Sequence, residues 1–377
     1  MKYFLQHKYI VIAALFFMLP LLMWPFKSPS QKFELRKFST VPEFTFSSIL
    51  SQKYYSQLGD YLTDRFPLKN EMTAIKGYIL IHLFSSSPSD RVRVGKNNYY
   101  YFQKGLELPC STYKEEDIVI YWENIRQFIR KAKEHSITVR IAFAPQKPTI
   151  YPEYLSDYDF KRYQCAFTNL AHFLGAQPDE TKPNFIALWD VFNDQKESSP
   201  SKFLHHPTDT HWNEYGASFL SQQVINSLSN NMWSSDDVYS EQYSHQGDLG
   251  RIMGVPLYEN SAHVRVRREG VSVSPEKRIK AGNNYIRSFI SMASNDKRLL
   301  DKMVIVHDSF GKRTRSQLPA YFKETVYLHH EAVGSKEAAE AIIGAKYIVL
   351  TFSERFMYKS MKGLTDNGKI YQQFFSD

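Results

Sequence analysis

Apolar positions first recur at helical spacing before residue 84. Met72, Ile75, Ile79 and Leu83 share one face of a predicted helix that ends at Ser85 to Pro88. Arg91 to Phe102 alternates like two strands around a Gly95-Lys96-Asn97-Asn98 turn. Beyond residue 115 helical and strand patterns take turns. Ile118, Tyr121, Ile125, Phe128 and Ala132 mark an amphipathic helix, and Ile137 to Ala144 a buried strand. A strand over Phe185 to Val191 and a helix over Tyr215 to Leu228 follow. Val304 to Val306, Val326 to Leu328 and Tyr347 to Leu350 read as further strands, with a helix over Ser335 to Ile343 closed by Gly344. This alternation predicts an α/β fold, doubly wound around a mainly parallel sheet. Residues 231–300 break the rhythm with a Ser/Asp-rich loop and an apparent hairpin over Val264 to Val273, which predicts an inserted β-rich region.

The N-terminus follows another pattern. Tyr9 to Phe26 is an apolar run interrupted by Pro20, with Lys2 and Lys8 before it and Lys27 after. Its length suits one bilayer crossing, and no small-residue cleavage site follows it. The expected organisation is a cytoplasmic stub and transmembrane signal anchor over 1–27, a stalk and helical lead-in over 28–84, and a catalytic domain over 85–377. Flanking Lys and Arg on both sides leave the orientation open by charge alone.

Open α/β sheets bind ligands beyond the carboxyl ends of their strands. Those ends carry Gln146-Lys147, His307-Asp308-Ser309 and Ser353-Glu354-Arg355, and the loop from His205 to His211 can hang over the same edge. If Asp209 to His211 is extended, both side chains point the same way, so the carboxylate can orient the imidazole. Ser309, placed in a tight turn after a strand, completes the parts of a Ser-His-Asp system in the chain order Asp, His, Ser. A serine hydroxyl is a weak nucleophile until a base takes its proton, and imidazole is the side chain suited to that near neutrality. Asn213 and Gly95 are candidates for the oxyanion donors. Lys147, Trp212 and Arg313 are candidates for substrate contact. The rival reading of the loop is a Zn²⁺ site made from His205, His206, Asp209 and His211.

Asp209-Thr210-His211-Trp212-Asn213 before a Gly-Ala helix, with Asp308-Ser309-Phe310 at a strand end, resembles the SGNH-hydrolase-like domain of the AlgX/AlgJ family. Supporting matches are Asp64 to Lys69, Val94 to Asn97, Pro145 to Glu153 and Gly247 to Leu249. The family comprises polysaccharide O-acetyltransferases of bacterial cell envelopes. The resemblance implies Ser309 as acetyl acceptor, His211 as base and Asp209 as its orienter, with no cofactor and no metal. It further implies a membrane-bound O-acyltransferase as acetyl donor partner, an exported or cell-wall polysaccharide as acceptor, and an extracytoplasmic catalytic domain held at the inner membrane. A carbohydrate esterase using the same three residues, and a catalytically silent polysaccharide-binding protein, are the alternatives.

Composition changes this picture little. The 377 residues are 43% hydrophobic and include 25 Tyr and 27 Phe, ample for a large core. The net charge of +8 suits an anionic neighbourhood such as lipid head groups or an acidic polysaccharide. The basic residues are scattered without a nucleic-acid signature, which excludes nucleic acid as the expected partner. Cys110 and Cys165 lie outside any Cys-x-x-Cys spacing, and either one disulfide or two separate buried thiols fits them.

Overall fold

The computed structural model describes residues 38–377 except 112, 231, 295–298 and 376–377, together with scattered positions between 8 and 23. The expected anchor over Tyr9 to Phe26 therefore lies largely outside the described residues. Among those described, no helix is long and apolar enough to cross a membrane.

The chain divides into two compact units. The first takes residues up to Arg93 and Asp248–Leu257. It holds α1 (Gln52–Asp64) and α2 (Lys69–Phe84), while β1 (Val92–Val94) runs across its end. The apolar face read from the sequence of α2 points outward: Met72, Ile75, Ile79 and Leu83 are exposed. The helix instead buries Gly77 and Ile81. A Cβ at Gly77 would sit 2.2 Å from Val255, so the missing side chain permits a close approach that larger apolar residues would block.

The second unit takes Val94–Gly247 and Tyr258–Asp377. Its elements run β2 (Tyr100–Phe102), α3 (Gln103–Ser111), α4 (Ile118–Glu134), β3 (Thr138–Ala144), α5 (Asp157–Gly175), β4 (Phe185–Ile186), α6 (Leu188–Ser198) and α7 (Glu214–Leu228). There follow β5 (Val238–Gln246), β6 (Tyr258–Val266), β7 (Val271–Val273), β8 (Lys277–Ala281), β9 (Asn284–Ala293), β10 (Met303–His307), β11 (Glu324–His329), α8 (Lys336–Ile342) and β12 (Tyr347–Ser353). The main sheet has the order β4-β3-β12-β10-β11-β9-β7, with β8 also on β9. From β4 to β11 every pairing is parallel, and β9, β7 and β8 add an antiparallel edge. Every residue of β10 is buried, as befits a central parallel strand covered on both faces.

Two expectations need correction. The strand read over Phe185 to Val191 stops at Ile186, because Leu188, Trp189 and Phe192 repeat at helical spacing and bury one face of α6. The hairpin read over Val264 to Val273 is two strands of different sheets. β6 pairs back with β5, a turn through Gly270 at φ 69° follows, and β7 pairs with β9. The β-rich stretch is thus a separate two-stranded sheet plus an edge of the main sheet, which makes the main sheet mixed.

Cys110 on α3 and Cys165 on α5 form a disulfide. Of the two readings left open, this is the one the structure adopts.

Candidate active site

The loop from Leu204 to Asn213 folds back on itself. Asn213 N–H donates to Leu204 O, and His206 N–H donates to His211 O. At its tip Asp209 is bent, not extended as expected. Its Oδ1 accepts the backbone N–H of His211 at 3.0 Å and pairs with His211 Nδ1 at 2.6 Å. The Asp-x-His spacing therefore works through an Asx-type turn, in which a short carboxylate binds the chain two residues on. Because the carboxylate accepts, Nδ1 carries the proton and the lone pair lies on Nε2. His211 Nε2 lies 2.8 Å from Ser309 Oγ.

Ser309 reaches that position from the carboxyl end of β10. Asp308 links it to the strand and fixes its turn. Asp308 Oδ1 accepts Phe310 N–H at 2.9 Å and Oδ2 accepts Ser353 N–H, at the end of β12, at 2.8 Å. Trp212 Nε1–H donates to Phe310 O at 3.1 Å, which ties the histidine loop to the serine turn. Burial tends to raise the Asp209 carboxyl. Hydrogen bonds from His211 and His245, with the charges of His211 and Arg313, outweigh it and hold the group well below the usual carboxylate range. An ionised, oriented carboxylate, an imidazole and a hydroxyl in this order can pass a proton from Ser309 to His211.

The other sequence candidates have different work. Lys147 is buried, and its ammonium donates to the carbonyls of His206, Pro207 and Asp209 at 2.7–3.0 Å. It clamps the loop and does not face substrate. Trp212 is fully buried and packs on Phe310 and Phe192, so it offers no surface to a sugar. Asn213 caps α7, its Oδ1 accepting Gly216 N–H, and its amide donates to Phe203 O. Gly95 N–H is committed to Tyr99 O. Both groups therefore hold local backbone. Arg313 does sit beside the site, where its charge acts on Asp209. With Lys312, Arg315, Arg265, His263 and Phe289 it lines a cleft of about 530 Å³. Lys312 and Arg313 make no ion pair with a carboxylate among the described residues.

The four-ligand zinc reading does not assemble. His205 Nε2 is committed to Pro145 O at 2.9 Å, and His205 joins no group of converging donor atoms among the described residues. Among the described residues of this unit, His206, His245 and Glu259 do bring three donor atoms within 4.8 Å of one another. The two rings, however, stack at 4.0 Å and 24°, so their in-plane lone pairs run side by side instead of converging on one ion.

Sequence reading missed three residues here. Asp308 was read only as part of the turn. Glu354, fully buried after β12, accepts Gln146 N–H, Trp189 Nε1–H and Thr149 Oγ1–H and anchors the segment that carries Lys147. His245 meets Asp209 from the β5–β6 hairpin; its only signal was its place two residues before Gly247-Asp248-Leu249.

A family model described as the SGNH hydrolase-like domain of acetyltransferase AlgX matches residues 92–281, half of the chain. The chain belongs to this family, and its α/β fold with a mixed sheet is of the SGNH-like kind. The match includes Asp209 and His211 and stops short of Ser309. A curated relative, the probable alginate O-acetylase AlgJ of Pseudomonas syringae pv. tomato, is 23% identical over 191 residues, which are 50% of this chain and 46% of the relative. The chain thus spans about half the length of the curated relative it matches. Among solved structures, Bacillus cereus PatB1 aligns at TM-score 0.51 and 16% identity over 70% of this chain and 95% of its own. The same protein with a sulfonyl adduct gives 0.52 at 16%, over 70% and 98%.

Proposed function

We propose that this protein is an O-acetyltransferase that carries an acetyl group on Ser309 and delivers it to a hydroxyl of an exported or cell-surface polysaccharide. The observation that carries the proposal is the continuous line from Ser309 Oγ through His211 to Asp209, at 2.8 and 2.6 Å, in a chain of the AlgX family.

In the first half-reaction His211 Nε2 takes the Ser309 proton as Oγ attacks the acetyl carbonyl. The tetrahedral intermediate collapses, the donor's leaving group takes the proton from His211, and the acetyl-serine ester remains. A sugar hydroxyl then gives its proton to His211 and attacks the ester, and Ser309 recovers its proton as it leaves. Phe310 N–H is occupied by Asp308, whereas Ser309 N–H makes no hydrogen bond among the described residues. We assign Ser309 N–H to the oxyanion. The acceptor enters by the cleft past Lys312 and Arg313. The acetyl donor is supplied by a membrane-bound O-acyltransferase. The run from Tyr9 to Phe26 anchors the chain in the inner membrane with the domain outside the cytoplasm. The disulfide supports that side of the membrane, since such bonds persist in oxidising compartments.

The test is intact mass of the full chain after brief exposure to an activated acetyl ester, beside Ser309→Ala. A single acetyl adduct on the wild type alone, discharged faster by oligosaccharides than by water, is expected. Discharge by water regardless of sugar would replace the transferase with an esterase. No adduct on either folded protein would leave a silent binding protein. A sulfonyl fluoride, chosen because PatB1 has been seen with a sulfonyl adduct, offers a second label for Ser309.

A further inference from the structure

We infer that His245 is a positioning residue for acyl transfer, holding the second carboxylate oxygen of Asp209 from the β5–β6 hairpin. This rests on the function proposed above. His245 Nε2 lies 3.0 Å from Asp209 Oδ2, while His211 takes Oδ1 through both its ring and its backbone. The carboxylate side chain is 3% exposed and that of His245 is 12% exposed, so water contributes little to holding it.

The contact is part of a built arrangement. His245 is paired across the hairpin with Glu259, whose Oε1 accepts Thr208 Oγ1–H at 2.8 Å and lies 3.1 Å from His206 Nδ1. The His206 ring stacks on His245, and Tyr243 meets its edge from the same strand. The hairpin thus engages His206, Thr208 and Asp209 of one loop. Groups facing His245 are Asp209, His206, Glu259 and Tyr243, with Arg313 acting on Asp209 and His206.

The chemistry gives this contact its value. When His211 takes the serine proton, the Asp209 charge must stay fixed opposite the new imidazolium. A carboxylate held at one oxygen can turn about its Cβ–Cγ bond, and the imidazole then turns with it. Held at both, it keeps His211 Nε2 on Ser309. A donor from a separate strand does this without touching substrate.

The test compares full-length wild type, His245→Ala, His245→Gln and Ser309→Ala with an activated acetyl ester, each checked for folding by thermal melt. His245→Ala is expected to lose kcat by roughly ten- to a hundredfold through misplacement of the base, with KM nearly unchanged. His245→Gln recovers most of kcat, since its amide N–H can reach the same oxygen. Wild-type kcat in His245→Ala, a loss carried by KM instead of kcat, or equal losses in Ala and Gln overturn the inference while Ser309→Ala remains inactive. Full turnover by Ser309→Ala removes the function proposal itself.

Discussion

His205 and His307 are buried imidazoles kept neutral by their surroundings. Burial lowers each from the ordinary histidine range to about 3, against a single backbone acceptor that works the other way. As pH falls through about 6.5 the unfolded histidines take up protons first, and the folded ones resist until near 3. The unfolded state therefore binds more protons in that window, and stability is lost as pH drops. At pH 5 each imidazole contributes a loss of about 2 kcal/mol by this linkage. Urea unfolding at pH 7.5 and 5 checks it: an unchanged midpoint would contradict the burial of both. Asp209, held below the usual carboxylate range, adds its own loss further down, below about pH 4. Glu354, raised by burial, has the opposite sign: its contribution declines as pH rises past the ordinary carboxylate range.

At the scale of elements, the β5–β6 hairpin is held to the histidine loop by a close backbone approach. A Cβ on Gly247 would lie 1.9 Å from Thr208 O, too near for any side chain without displacement. Gly247→Ala is expected to lift the end of the hairpin, costing about 1–3 kcal/mol in a thermal melt. The rate of acyl-adduct formation falls with it, because His245 and Glu259 ride on the same strand ends. Wild-type stability and rate together would show that the approach relaxes freely. The hairpin also marks where sequence reading stops. Strands buried on both faces, such as Val304 to Val306, announced themselves because only apolar residues survive there. β5 has no fully buried residue, so its polar sequence reads as loop. Leu188-Trp189-Asp190-Val191 carries strand-like composition at helical spacing, and packing decided in favour of the helix. Asp209, His211 and Ser309 were legible as candidates because the proposed chemistry needs particular side chains in particular turns, and the structure brings the three together. Lys147 could not be separated from a substrate contact without knowing that it is buried, and His245 contacts Asp209 only through tertiary folding.

At the scale of the whole molecule, the Cys110–Cys165 bond joins α3 to α5 across a separation of 55 residues. Loop-closure entropy of that size stabilises the fold by about 4 kcal/mol. Cys110→Ser is expected to lose about 2–4 kcal/mol in urea unfolding. Reductant should bring the wild type to the same midpoint, and a reductant-insensitive wild type would show that the bond does not form. The order of strands has a different consequence, one of timing. β3 pairs with β12, so Thr138 lies beside Tyr347, more than two hundred residues further along the chain. β10, which carries Ser309, is seated between β11 and β12. During synthesis from the N-terminus, the middle of the sheet is the last part to receive its strands. Until they arrive, β3 presents an apolar edge with no neighbour on that side, and a chain stalled or clipped before residue 347 is left with a template for aggregation. Ser309 is thus fixed beside His211 only when β12 arrives, since Ser353 N–H at its end holds the turn at Asp308.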